Sequence, residues 1–136
     1  MTSKKPRFKR ILLKLSGETL GGKGGFGIMV EAAEYIAQEI REAHGLGCEV
    51  AIVIGGGNFI RGENLSQMGI DRSTADYMGM LGTVINALAL QSTLEGLGLF
   101  TRVMSSLTMF EVAETFILRR SISHLEKRLI TIFCGG

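Results

Sequence analysis

Cys48 to Gly62 reads CEVAIVIGGGNFIRG, an apolar run that breaks into three consecutive glycines. The run from Val50 to Ile54 shows no polar alternation, which is typical of a strand buried on both faces of a parallel sheet. Gly55, Gly56 and Gly57 then place bare backbone at the carboxyl end of that strand, where open α/β sheets bind ligands. The stretch therefore predicts an α/β fold with a ligand site at this turn.

The chemistry of the turn favours an anionic ligand. Glycine has no Cβ, so its backbone N–H groups can close on an anion. Arg61 follows four residues after Gly57 and adds a permanent charge on a fork that suits phosphate. The alternative is a tight strand-to-helix turn beside a surface arginine, although three glycines exceed what a turn needs.

The composition fits one soluble globular domain. The 136 residues are 46% hydrophobic and 21% charged, which is enough for a domain with its own core. The net charge of +2 is too small to argue for nucleic-acid binding, and a predicted basic arm, residues 1–8 with Lys4 among them, contains much of the positive excess. The two cysteines have no CxxC spacing, which favours a reducing compartment, the cytoplasm, and no structural metal.

The uncharged stretch from Tyr77 to Leu94 reaches the lower length limit of a membrane-spanning helix. Its Gly, Thr, Asn, Gln and Ser residues favour a buried helix or one that faces a second subunit. We therefore expect no membrane segment and a homo-oligomer.

Strand and helix patterns alternate along residues 9–136 and predict a three-layer α/β/α sandwich around an open, mainly parallel sheet of about four core strands. The predicted elements are a strand at Lys9–Leu15, a helix at Val30–Leu46, the strand described above, a polar loop from Arg61 to Ser73, a helix from Thr74 or Ala75 to about Gly96, a strand at Leu99–Ser105, helical structure over Thr108–Lys127, and a strand at Leu129–Phe133.

Lys14 is a single charge near the end of the first apolar strand, just before the turn Ser16-Gly17-Glu18. Its stem could lie along apolar surface while its ammonium reaches water, or the ammonium could lie over a phosphate above the Ser16 and Gly17 amides. The glycine-rich segment Gly21–Gly27 that follows predicts an unusual or mobile loop. It is no P-loop, because Gly24 stands where a Ser or Thr is needed and no helix begins there.

Asp76 is predicted to lie in the first turn of the long helix, close to the three glycines. As a structural residue it would satisfy N–H groups at the helix start; as a functional one its carboxylate would accept hydrogen bonds from sugar hydroxyls. Gly79 and Gly82 cost this helix roughly 1 kcal/mol each relative to alanine. That cost indicates close approach by the backbone of another element.

Three motifs together resemble the bacterial uridylate kinases of the amino acid kinase superfamily, over almost the whole chain and without gaps. They are Lys14-Leu15-Ser16-Gly17-Glu18, Gly55-Gly56-Gly57-Asn58 with Arg61-Gly62, and Asp76-Tyr77-Met78-Gly79-Met80-Leu81. The resemblance implies transfer of the γ-phosphoryl group of ATP to UMP, giving UDP and ADP in pyrimidine nucleotide biosynthesis. It also implies Mg²⁺ as cofactor, GTP as activator, UTP as inhibitor and a cytoplasmic homohexamer.

Roles follow from the resemblance position by position. It implies catalytic roles for Lys14 and Arg61, and UMP contacts for Gly56 and Asp76. The implied ATP contacts are Lys14, Leu15, Ser16, Gly17, Gly57 and Arg61. The implied activation segment is Gly22, Lys23, Gly24, Gly25, Phe26 and Gly27.

Three positions depart from the family pattern: Met29 replaces a helix-capping Asp, Thr115 a proline, and Arg128 a glycine. The family also continues well past Gly136, so residues 9–136 correspond to its N-terminal, UMP-binding part and lack the C-terminal, ATP-binding part. Two alternatives therefore stay open, another superfamily enzyme of the acetylglutamate kinase type and a fragment that only binds or assembles. A dinucleotide-binding module is weaker, because Gly55, Gly57 and Gly62 do not give the GxGxxG spacing.

Overall fold

The computed structural model describes residues 5–136; residues 1–4, with Lys4 of the predicted basic arm, lie outside the described part. The elements in chain order are β1 (Arg10–Leu15), α1 (Val30–Gly45), β2 (Glu49–Ile54), α2 (Gly62–Gln67), α3 (Arg72–Gly96), β3 (Thr101–Ser105), β4 (Glu114–Thr115), α4 (Leu118–Glu126) and β5 (Ile130–Cys134). None of the helices in this part combines the length and apolarity that a membrane crossing requires.

The strands form one parallel sheet in the order β1-β2-β5-β3-β4. Ile132 of β5 is the register partner of both Ile52 in β2 and Val103 in β3, so the last strand of the chain lies at the centre of the sheet. The parallel α/β prediction is confirmed. The four predicted core strands are β1, β2, β5 and β3, and β4 adds a two-residue fifth strand at one edge.

The sheet separates two helical layers. Alternate residues of the central strands, such as Ile52 and Ile132, belong to a buried core with Ala37 of α1 and Leu90 of α3. Neighbouring residues in a strand point to opposite faces, and on the opposite face the Ser121 hydroxyl of α4 donates to the Met104 sulfur at 3.2 Å. The predicted three-layer arrangement is therefore confirmed, with α1 and α3 on one side and α4 on the other.

Two segments differ from their predicted secondary structure. The predicted loop from Arg61 to Ser73 contains α2, a short helix that buries only one residue of its core face, Leu65, among those described and so has no clear apolar period. The predicted helix over Thr108–Lys127 begins only at Leu118, because Glu114 and Thr115 instead pair with the end of β3. A two-residue edge strand is too short for its sequence to reveal a period of two.

The start of α3 also differs. Asp71 caps the helix, its carboxylate accepting from the Thr74 N–H at 3.3 Å, and the helix begins at Arg72. Asp76 therefore lies in the second turn and not in the first. An N-cap acid already satisfies the helix start, so the structural explanation for Asp76 is wrong and its carboxylate is available for another role.

Arg128 has a left-handed backbone, with φ of 68°, unlike every other non-glycine residue in the described chain. This geometry costs a residue with a Cβ roughly 1–2 kcal/mol. The Arg128 guanidinium donates to the backbone carbonyls of His44 and, at 3.0 Å, Cys48, while the His44 ring N–H donates to the Arg128 carbonyl at 2.9 Å. These bonds join the end of α1 to the turn before β5 and offset the strain.

We expect Arg128→Gly to be more stable than Arg128→Ala by about 1 kcal/mol, because both lose the side-chain hydrogen bonds and only glycine relieves the strain. Urea unfolding of the two variants beside the wild type measures the difference. An alanine variant as stable as the glycine variant would contradict the left-handed geometry.

Candidate functional site

A cleft of about 490 Å³ lies at the carboxyl ends of the central strands, beneath α3. Its walls include the three consecutive glycines Gly55–Gly57, hereafter the triglycine loop, together with Asp76, Gly79, Thr83 and Gly136. The structure thus brings together Gly56, Gly57 and Asp76, which the sequence separates by about twenty residues. A cleft with backbone amides on one wall and a carboxylate on the other can hold a ligand that has both an anionic group and hydroxyl groups.

The triglycine loop packs directly on the backbone of α3. A Cβ on Gly56 would lie 2.8 Å from the Gly79 carbonyl oxygen and 3.0 Å from the Thr83 nitrogen, and one on Gly82 would lie 3.4 Å from the Gly56 carbonyl oxygen. The predicted close approach is therefore correct for Gly82. At Gly79 the backbone carbonyl faces Gly56, but a Cβ on Gly79 itself would meet no atom within 4 Å, so the close approach does not require glycine there; the missing side chain of Gly79 leaves space in the cleft.

Lys14 and Leu15 end β1, which lies beside β2, and Ser16 and Gly17 follow it. The Gly55 N–H donates to the Leu15 carbonyl at 2.9 Å, and a Cβ on Gly17 would come within 2.8 Å of the Gly57 nitrogen. The turn predicted to bind ATP phosphates thus touches the triglycine loop. Lys14 itself is exposed and lies outside the lining of the cleft.

Arg61 is exposed and does not line the cleft. Its Nη2 atom lies 3.3 Å from where a Cβ on Gly25 would be, and the Glu18 side chain flanks the same glycine. The structure therefore brings Arg61 to the glycine-rich segment and not to the cleft that Asp76 lines.

Glu18 is a site residue that the sequence reasoning missed. Its carboxylate lies against the open face of Gly57, where a Cβ would collide with it. An exposed acid after a glycine turn has no sequence signal that distinguishes it from surface charge. Its position places a negative charge beside the amides predicted to receive phosphate.

Backbone hydrogen bonds hold the conformation of the glycine-rich segment. Gly22, Gly25 and Gly27 all have positive φ angles, the Gly25 N–H donates to the Gly22 carbonyl at 3.2 Å, and the Gly27 N–H donates to the Asn58 carbonyl at 2.8 Å. Lys23, Gly24 and Phe26 project from this segment as exposed residues. The predicted activation segment therefore adjoins the triglycine loop through its last residue.

Asn58 and Asn86 are two further residues that the sequence reasoning missed. Both are fully buried, and their side-chain amides hydrogen-bond to each other in both directions, at 2.9 and 2.7 Å. Asn86 inside the long helix gave only a weak sequence signal for a site residue, because its partner Asn58 is 28 residues away in the chain.

Cys134 ends β5 close to the cleft. Burial raises the pKa of its thiol to about 11, so the sulfur is a neutral thiol near pH 7 and not a thiolate nucleophile. The cleft therefore offers hydrogen-bond donors, a carboxylate and nearby cations, and not covalent cysteine chemistry.

The model of the amino acid kinase family matches residues 9–136 of this chain. A uridylate kinase from Roseobacter denitrificans is 54% identical over 138 residues, which cover 100% of this chain and 57% of that protein. The crystal structure of a UMP kinase from Bacillus anthracis has a TM-score of 0.90 at 45% identity and covers 94% of this chain and 53% of that one. The crystal structure of a UMP kinase from Ureaplasma parvum has a TM-score of 0.89 at 32% identity, covering 96% and 57%.

The chain thus spans little more than half the length of these relatives. The match is close in both sequence and backbone, and it covers 94% to 100% of this chain. The comparisons therefore inform only the part of these relatives' fold that this chain contains, which includes the cleft.

We expect Gly56→Ala to destabilise the chain by about 1–3 kcal/mol, because its Cβ would clash with backbone atoms of α3 that cannot move without distorting the helix. Gly57→Ala is the matched control: the three atoms nearest its Cβ all belong to the flexible end of the exposed Glu18 side chain, so we expect a change within about 0.5 kcal/mol. Thermal and urea unfolding measure both. Equal destabilisation by the two variants would contradict the packing described here.

Proposed function

Because this chain belongs to the amino acid kinase family, we propose that it is the N-terminal, UMP-binding part of a uridylate kinase, which transfers the γ-phosphoryl group of ATP to UMP to give UDP and ADP. The observation that supports this most is the cleft that unites Gly56, Gly57 and Asp76, in a chain 54% identical to a uridylate kinase. Pyrimidine nucleotide biosynthesis in the cytoplasm is part of the same proposal.

The cleft suggests how UMP is held. The Asp76 carboxylate is exposed toward solvent in the second turn of α3, and it would accept hydrogen bonds from the two ribose hydroxyls. The wall formed by Gly56 is bare backbone that a nucleotide can approach closely. Asp76 therefore selects for a ribose, and the glycine wall for a flat or anionic group.

The turn after β1 suggests how ATP phosphates are held. Lys14 and Arg61 would supply positive charge near the contact between Gly17 and Gly57, whose amides would donate to phosphate oxygens. The acceptor of the reaction is already an anion, so no strong general base is needed. Catalysis then consists of aligning two mutually repelling anions and neutralising charge as the phosphoryl group moves.

Mg²⁺ is the cofactor that the resemblance implies. Within residues 5–136, no group of three or more His, Cys, Asp or Glu side chains is placed to hold a metal ion. Mg²⁺ in phosphoryl-transfer sites is held largely by substrate phosphates and water and needs no such cluster; when bound it would neutralise phosphate charge. The roles proposed here belong to the chain's own lysine, arginine, amides and carboxylate.

Gly22–Gly27 is proposed as the segment through which GTP activates, with UTP as the feedback inhibitor and a hexamer as the assembly. An exposed apolar stripe on α3 supports self-association: Tyr77, Leu81 and Ile85 are 56%, 45% and 49% exposed and follow one another at helical spacing. The stripe is narrow, because Val84, the residue before Ile85, is buried within its own chain.

The function is tested by joining this chain to the C-terminal remainder of the Roseobacter denitrificans relative and measuring ADP release with ATP and each of UMP, CMP and N-acetylglutamate. We expect release with UMP at a rate on the order of 1 s⁻¹ or more, and none with N-acetylglutamate. The 136-residue chain alone is the control; we expect it to release no UMP-dependent ADP, because alignment of the two anions needs both halves of the site. Turnover of N-acetylglutamate in place of UMP would reject the proposal.

Asp76→Asn in the joined protein should raise the KM for UMP by about 10- to 100-fold, because charge-assisted hydrogen bonds contribute about 1.5–3 kcal/mol. The KM for ATP should change less than two- to threefold. Glu63→Gln, which neutralises an exposed acid in α2, is the matched control and should change neither. An equal loss for both substrates would point to a structural role for Asp76.

Ile85→Glu should reduce the size of the oligomer, because it places a charge in the middle of the exposed stripe on α3. Tyr35→Glu on α1, where the tyrosine is 68% exposed, is the matched control. Sedimentation and light scattering measure both. A monomeric wild type, or an assembly that Ile85→Glu leaves intact, would reject α3 as the interface.

A further inference from the structure

A pair of buried side-chain amides, those of Asn58 and Asn86, connects three segments that line or adjoin the cleft. The Asn58 side chain donates to the Gly27 carbonyl at 2.8 Å and to the Asn86 Oδ1 at 2.9 Å. The Asn86 side chain donates to the Gly55 carbonyl at 2.7 Å and back to the Asn58 Oδ1 at 2.7 Å. Every donor of the pair therefore has a partner, and the four partners lie on three segments: the glycine-rich segment, the loop after β2 and α3.

Both backbone groups of Gly27, its N–H and its carbonyl, form hydrogen bonds with Asn58. Besides the bond from the Asn58 side chain, the Gly27 N–H donates to the Asn58 backbone carbonyl at 2.8 Å. Gly27 has a φ of 69°, so its own conformation is one that few other residues accept. The end of the glycine-rich segment thus has its position set by the residue that directly follows the triglycine loop.

The two amide side chains lie where water cannot replace a lost partner. Asn58 and Asn86 have no exposed surface, and a buried amide that loses its partner keeps the full cost of its desolvation. A shift of Gly27 must therefore either break a costly bond or displace Asn58. Displacement of Asn58 moves the chain next to Gly57, and through Asn86 it pulls on the carbonyl of Gly55.

We propose that Asn58 is a positioning residue that couples the glycine-rich segment to the cleft, so that a change of conformation at Gly27 alters the triglycine loop. The statement that this cleft binds UMP rests on the proposed function. The coupling itself rests on the four side-chain hydrogen bonds. A group bound at the exposed residues of the segment would reach the cleft by this route.

The test is amide hydrogen exchange on the ¹⁵N-labelled 136-residue chain, comparing Gly27→Ala with Gly24→Ala. Alanine at either site meets no atom within 4 Å, but only Gly27 has a positive φ and bonds to Asn58. The reporters are the Gly55 and Phe59 amides, which donate to the Leu15 and Gly56 carbonyls. The reference is the Ile130 amide, which donates to the Phe100 carbonyl at the far end of the sheet.

We expect Gly27→Ala to speed exchange at Gly55 and Phe59 by about 5- to 30-fold, equivalent to about 1–2 kcal/mol, with Ile130 unchanged. Gly24→Ala should change neither reporter. Unchanged reporters in Gly27→Ala, an equal rise at Ile130, or an equal effect of Gly24→Ala would each overturn the coupling. If Gly27→Ala does not fold, Gly27→Asn against Gly24→Asn gives the same comparison, because asparagine tolerates left-handed geometry better.

Calorimetric titration of the same variants with UMP separates the two proposals. We expect Gly27→Ala to weaken UMP binding at least threefold while Gly24→Ala leaves it unchanged. If the wild-type chain binds no UMP, the proposed function fails for this chain, and the exchange result still decides the coupling. Weaker binding in both variants would overturn the coupling.

Discussion

The reciprocal hydrogen bond between the side chains of Asn58 and Asn86 is the interaction on which the arrangement of the cleft depends. A loop after a buried strand has no partners of its own for its carbonyls, and burying them unpaired would be costly. The amide pair supplies donors to the carbonyls of Gly55 and Gly27 at once. It therefore fixes the triglycine loop against the helix that contains Asp76.

Glycine makes that arrangement possible because it lets backbones meet. Gly56 lies against Gly79 and Thr83 of α3, and Gly17 lies against the triglycine loop. In each case a single Cβ would occupy space that the neighbouring main chain already fills. Backbone amides of two strands are thus concentrated at one edge of the sheet, which is a suitable environment for phosphate groups.

The carboxyl edge of the sheet combines opposite charges within a short distance. Lys14 and Arg61 are cationic and exposed, whereas Glu18 and Asp76 are anionic and exposed. Asp76 and Glu18 lie on different sides of the triglycine loop, so one faces the cleft and the other the glycine-rich segment. The triglycine loop therefore lies between the cleft and the glycine-rich segment.

The sequence by itself determined the class of fold and the strand that bears the site, because an unbroken apolar run followed by glycines has few structural solutions. It also determined which residues could bind anions, since that depends on residue type. The tertiary structure alone decided that the last strand lies at the centre of the sheet, that Asp76 faces the cleft from the second turn of α3, and that Asn58 pairs with Asn86. Those features depend on contacts between residues far apart in the chain, and no local pattern of residues encodes such contacts.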